Sequence, residues 1–205
     1  MRVRLDDYGW AAAVATDLVN TAPEAMVSTG DGLGDPTALR RFLVEHDLPG
    51  SELERTPTTA DLAAVHQLRR WLRELIETRD ECDAVARASA LAAQAGAALV
   101  LERDAAGRWQ WHVASRADAD LTEELALLTA TGLLGVVRVL GHGRFRSCAL
   151  ASCNGVFGDT SRAGRRRYCE PELCGSRGNS ANYRARRRMA EPNPSNLARE
   201  PDRSS

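Results

Sequence analysis

Lysine is absent from this chain: all 27 of its basic residues are arginine. A phosphate loop closing on a Lys-Ser/Thr pair is thereby excluded. Gly30, Gly32 and Gly34 also lack the following strand–helix unit such a loop needs. Arginine in place of lysine carries no further meaning by itself. Aromatic residues make up only 5% of the chain, and its basic C-terminal region offers just Phe145, Phe157, Tyr168 and Tyr183. That is sparse for the stacking platform of a single-strand RNA binder. Long apolar runs are missing too. The most apolar stretch, Leu125 to Leu140, is broken by Thr129, Thr131 and Arg138 and falls short of the ~20 residues of a membrane span. Met1 to Trp10 carries four charges and no apolar export segment, so a cytoplasmic protein without membrane contact is expected. His46, His66, His112 and His142 are scattered without paired-ligand spacing.

What is present is a globular composition, 43% hydrophobic and 27% charged, with charge sorted along the chain. The net charge is −1, yet Arg144 to Arg188 holds 11 Arg against Asp159, Glu170 and Glu172, or +8, leaving −9 for the rest. An acidic body with a basic end module usually presents that module to a polyanion. Inside the basic segment Cys148, Cys153, Cys169 and Cys174 are spaced C-x4-C-x15-C-x4-C. Two close pairs separated by a medium loop suit one tetrahedral zinc ion, each pair chelating from one side. Two disulfides are the alternative, against which a reducing compartment argues. Four sulfurs leave the metal no open position, so the predicted zinc is structural, replacing a core the segment cannot build. Cys82 lies apart on a helical stretch and is expected to be a half-buried core residue.

Apolar spacing outlines the remainder. Helices are expected over Trp10–Thr21, after the Asp35-Pro36 start, after a Thr58 or Thr59 cap with Asp61 in the first turn, and over Asp83–Ala95. The third has the clearest stripe, from Leu62 and Val65 through Leu75 and Ile76. A hairpin near 97–115 follows, pairing Ala98–Glu102 with Trp109–Val113. Trp109 and Trp111 share a face, which reads first as core; alternatively Trp71, Trp109 and Trp111 line one apolar pocket for a small-molecule effector. A long helix then runs from an Asp118 or Asp120 cap to about Leu140, with Gly132 and Gly135 marking close packing against a neighbour. Gly141-His142-Gly143 joins it to the basic module. The Pro-, Ser- and Asn-containing segment 191–205 is expected to be a disordered tail.

Arg146–Cys153, Phe157-Gly158-Asp159-Thr160-Ser161, Arg165-Arg166-Arg167-Tyr168-Cys169 and Cys174-Gly175-Ser176-Arg177 resemble, in order and spacing, the CGNR zinc finger. Ser176 stands in place of that finger's usual Asn, Tyr168 where Trp is common, and Gly178-Asn179-Ser180 lacks its lysine. Leu18-Val19-Asn20-Thr21 and Pro36 to Leu43 look like the ABATE domain that accompanies it. The resemblance implies a stress-induced transcription regulator: a helical sensing or assembly domain over 1–141 and a DNA-binding finger over 144–190. The expected fold is mainly α with a small β-hairpin (α+β), ending in a four-cysteine, treble-clef-like finger.

The expected metal ligands are Cys148, Cys153, Cys169 and Cys174. A helix from about Gly175 to Met189 is expected beyond the second pair, its N–H groups facing the thiolates. There Arg177, Arg184 and Arg188 share one face with Asn182 and Tyr183 to either side, a set for base reading, and Arg187 is also expected to bind nucleic acid. Arg165, Arg166 and Arg167 are expected to grip phosphate. Asp159-Thr160-Ser161 reads as a turn rather than a nucleophile and its base. The expected function is duplex-DNA-binding regulation with one structural zinc and no enzymatic activity, as a homodimer or otherwise. Zinc-dependent docking of an acidic protein surface or of the chain's own N-terminal domain, or RNA binding, are the alternatives.

Overall fold

The structure, a computed structural model, describes residues 1–25, 30–48, 55–178 and 180. Its elements run β1 (Arg2–Arg4), α1 (Tyr8–Asn20), α2 (Pro36–Glu45), α3 (Thr59–Glu77), α4 (Glu81–Gln94), β2 (Ala98–Arg103), β3 (Trp109–Ala114), α5 (Leu121–Leu140), β4 (Phe145–Ser147) and β5 (Val156–Gly158). The expected mainly helical architecture with a small antiparallel sheet and a terminal finger is what these elements build.

Side-chain caps fix the helix starts. The Asp35 carboxylate accepts from Ala38 N at 2.7 Å, with Pro36 in the first helical turn. Thr58 with Asp61, and Asp120 with Glu123, form reciprocal capping boxes at α3 and α5. Asp80 caps α4 through Cys82 N and Asp83 N, which starts that helix two residues before Asp83.

The core forms around α5, which packs on α1 and α4 and buries Leu125, Leu128, Leu133 and Val136. Glycine permits the closest approach. A Cβ on Gly132 would lie 2.3 Å from Ala12 N and 2.4 Å from Ala11 C, and one on Gly135 2.2 Å from Tyr8 Cβ. The ~1 kcal/mol that each glycine costs a helix is offset by the backbone contact it allows. A second brace, Arg69 of α3, is 7% exposed and bonds both Asp31 carboxylate oxygens at 2.8 Å. That pair ties the segment before α2 to α3 and holds the Asp31 carboxyl at about 2, chiefly through those hydrogen bonds.

The hairpin of β2 and β3 pairs as expected, with Leu99 opposite Val113 and Leu101 opposite Trp111. The sequence pattern omitted its third member: β1 pairs antiparallel with β3, giving the order β1-β3-β2. Three residues are too few for periodicity to register. Two tryptophan expectations are corrected. Trp109 and Trp111 are 57% and 51% exposed rather than core, and they border a cleft of about 650 Å³ with Tyr8, Leu134 and Val139. Trp71 does not share it. It borders a separate recess of about 180 Å³ with Leu75 and Leu91. Cys82 is likewise exposed, in the first turn of α4, and not half-buried.

Gly141 ends α5 at φ 86, a left-handed turn glycine adopts freely. The basic module then folds back onto the helices. Phe145 of β4 and Val156 of β5 belong to the same apolar core as α1, α3 and α5.

Candidate metal centre and nucleic-acid surface

β4 and β5 form a two-stranded antiparallel hairpin, Phe145 opposite Gly158 and Ser147 opposite Val156. Its turn carries Cys148 and Cys153, closed by Cys148 N to Gly155 O at 2.8 Å. Cys169 arrives from the arginine loop, and Cys174 from the wide helical turn Pro171–Gly175 that leads into helical Ser176–Gly178. All four sulfurs lie within 4.8 Å of one another. Cys153 to Cys169 is 3.6 Å, Cys169 to Cys174 3.7 Å and Cys153 to Cys174 3.9 Å. A zinc ion bound by sulfur at ~2.3 Å implies a tetrahedral edge of roughly 3.8 Å, so the spacing fits. Disulfide bonding requires ~2.05 Å, and no disulfide joins the four cysteines.

The thiols' acidity points the same way. Burial pushes the Cys174 thiol up to about 11, and burial with the neighbouring sulfurs pushes Cys169 up as well. Burial also opposes ionisation of Cys148, but the N–H groups of Leu150 and Cys169 and the adjacent thiols lower it overall. Four crowded sulfurs of this kind become thiolates together only around a cation. Gly155 donates its N–H to Cys153 Sγ at 3.3 Å. A Cβ there would stand 2.7 Å from Cys169 Sγ, so the centre requires glycine.

The arginines around the centre divide into two groups. Arg144 donates to the carbonyls of Asp159 and Ser161 at 3.0 and 2.8 Å, and Arg146 to that of Gly164 at 2.9 Å. Arg166 donates to Tyr168 O at 2.9 Å and to Cys169 O, and its guanidinium lies 4.9 Å from the Phe157 ring centroid. The guanidinium expected to grip phosphate therefore holds the loop that delivers Cys169. Arg162, Arg165, Arg167 and Arg177 are exposed. Asn182, Tyr183, Arg184, Arg187 and Arg188, together with the rest of the expected helix and the 191–205 tail, lie outside the described residues.

Asp159 is fully buried and accepts from Ser161 N at 3.1 Å, Ser161 Oγ at 2.6 Å and Arg166 N at 2.9 Å, with Arg146 at 3.5 Å. These bonds form the turn that organises the arginine loop. Tyr168 packs against Gly175 and Gly178, where a Cβ on the latter would meet the phenol oxygen at 2.8 Å.

Sequence reasoning missed the residues that seat the finger. Asn20, at the end of α1, donates to Val156 O and accepts from Val156 N, both at 2.8 Å. The side-chain amide thus pairs with β5 as another strand would. Asn154 N donates to Ala25 O at 2.9 Å, its amide to Glu24 O at 3.1 Å, and Arg73 donates to Asn154 O at 2.7 Å. An asparagine closing a helix gives no sign that its partner lies 136 residues away. Between α1, α2 and the finger opens a cleft of about 540 Å³ reached by His46, Asp17, Arg166 and Cys169.

Among the described residues no helix is long and apolar enough to cross a membrane. No curated protein matches the chain. The family model of the CGNR zinc finger matches residues 144–187, and with the four clustered cysteines this makes the centre the site of one structural zinc ion. The ABATE model, described as "Putative stress-induced transcription regulator", matches residues 12–140, immediately before the finger. Helical body and terminal finger follow in that order, and the chain belongs to the ABATE family.

Proposed function

We propose that this chain regulates transcription by binding duplex DNA through its finger, with Cys148, Cys153, Cys169 and Cys174 ligating the zinc. The observation that carries the reading is the division among the finger's arginines. Arg144, Arg146 and Arg166 satisfy internal carbonyls, whereas Arg162, Arg165 and Arg167 face outward, where phosphate is reached. The +8 charge of residues 144–188 is concentrated in one small module, beside a body of opposite sign. Zinc acts structurally: four sulfurs close its shell, and no water position remains for hydrolysis. Ser161 Oγ donates to Asp159 at 2.6 Å, but the same buried carboxylate accepts from the N–H groups of Ser161 and Arg166, which is the bonding of a turn. The ABATE body supplies regulation, and the 650 Å³ cleft beside Trp109 and Trp111 is its site for a small apolar effector.

Duplex binding is measured by fluorescence anisotropy across a salt series. About six arginine–phosphate contacts give a slope of log K against log salt near −5. Chelation of the zinc abolishes binding. A slope near zero, or affinity unchanged after complete metal removal, overturns the reading.

A further inference from the structure

Strand β2 forms the edge of its sheet, bonded to β3 on one side only among the described residues. The turn closes with Asp104 N donating to Arg108 O at 2.9 Å, and on the far side of β3 Ser115 N donates to Met1 O at 3.0 Å. Antiparallel alternation then turns Ala98, Val100 and Glu102 toward β3 and directs the N–H and C=O groups of Leu99, Leu101 and Arg103 outward. Those outward groups have no partner among the described residues. The side chains at the same positions are also unshielded, Leu99 being 61% and Leu101 43% exposed.

Edge strands are ordinarily blunted by proline, lysine, a bulge or brevity. Strand β2 has six residues and no proline, lysine or bulge, and its two charged residues, Glu102 and Arg103, fall together at its far end. The opposite edge, β1, has three residues, two of them arginine. The exposure is therefore confined to one edge, and its sequence is self-complementary.

We infer that two copies of this chain pair β2 against β2 in antiparallel fashion, about a two-fold axis through Val100, to form a continuous six-stranded sheet. Side-chain alternation allows only registers that keep like faces together. With Val100 on the axis, Leu99 faces the second copy's Leu101 and Val100 faces its counterpart. Glu102 then lies opposite Ala98, so no like charges meet. Leu99 and Leu101 exchange both N–H···O bonds across the junction, twice by symmetry, which satisfies the outward groups of both leucines. A register shifted to Leu101 sets Arg103 against Leu99 and Glu102 against Val100, burying charge beside apolar side chains. The resulting dimer is isologous, and this inference does not depend on the DNA reading.

The full zinc-loaded chain carrying Cys82→Ser, which removes the exposed thiol, serves as the background. Sedimentation velocity over a dilution series should show a concentration-dependent dimer. Val100→Glu, which sets like charges directly opposite each other on the axis, should weaken that dimer by about tenfold or more. Mild oxidation should cross-link Val100→Cys as a covalent dimer and leave Leu101→Cys, whose copies are diagonal neighbours, monomeric in denaturing gels. A chain monomeric at every concentration overturns the inference. So does a dimer that tolerates Val100→Glu, or one that cross-links at position 101 in preference to 100. If Val100→Glu fails to fold, the two cysteine variants still decide the register.

Discussion

Replacing Gly155 with alanine tests the zinc centre most directly. The new Cβ would stand 2.7 Å from Cys169 Sγ and 3.2 Å from Cys153 Sγ, where unstrained heavy atoms sit roughly 3.5–4.0 Å apart. Relief by moving sulfur requires a shift of about 0.8 Å or more, while zinc–ligand distances tolerate only ±0.2 Å or so. Relief by moving the backbone breaks two hydrogen bonds, Gly155 N to Cys153 Sγ at 3.3 Å and Cys148 N to Gly155 O at 2.8 Å. Either route costs an overpacking penalty of about 1–3 kcal/mol plus bonds of about 1 kcal/mol each. Zinc affinity should therefore fall by roughly 100-fold, equivalent to about 2.7 kcal/mol. Competition between zinc-loaded chain and a chromogenic chelator at fixed pH reads this. Gly143→Ala is the control, because a Cβ there meets nothing within 4 Å. Should Gly155→Ala retain zinc within about threefold of the parent chain, the packing argument for the centre is wrong.

Three further outcomes follow from the same geometry. Arg166→Ala should lower both zinc retention and melting temperature because it frees the Cys169 loop, whereas Arg165→Ala should leave both unchanged and reduce the DNA salt slope by about 1; equal effects of the two dissolve the division of arginines. Asn20→Ala removes two 2.8 Å bonds and strands the Val156 backbone, which should cost about 2–3 kcal/mol and raise amide exchange at Val156 while α5 stays protected. Asp31→Asn should lose about 2 kcal/mol at pH 6. The Asp31 carboxyl is held at about 2, below its ordinary 3.8, so the pair's stability is present above pH 4 and fades as pH falls toward 2. In urea unfolding the difference between variant and parent should close over that interval, and a difference constant with pH refutes the assignment.

Local chemistry was legible in the chain. Capping residues announced α2, α3 and α5 because a side chain and the N–H groups it bonds lie within three residues. The cysteine spacing announced the zinc centre because ligand geometry constrains short loops. Gly132 and Gly135 signalled a close helix contact by their cost to α5, although nothing local named α1 as the neighbour. The role of Arg166 was not legible: in sequence it is one of three adjacent arginines, and only the fold turns it inward to Tyr168 O and Cys169 O.

Composition and spacing by themselves determined a helical acidic body, a metal-built basic finger and their order, since each depends on contacts between residues near in sequence. Tertiary structure alone decided that Asn20 completes β5, that Arg2–Arg4 adds a third strand, and that Trp109 and Trp111 overlook a cleft instead of filling a core. Such features arise where segments more than a hundred residues apart, or whole packed faces, meet. The free energy there depends on the relative placement of surfaces, which no local pattern of residues encodes.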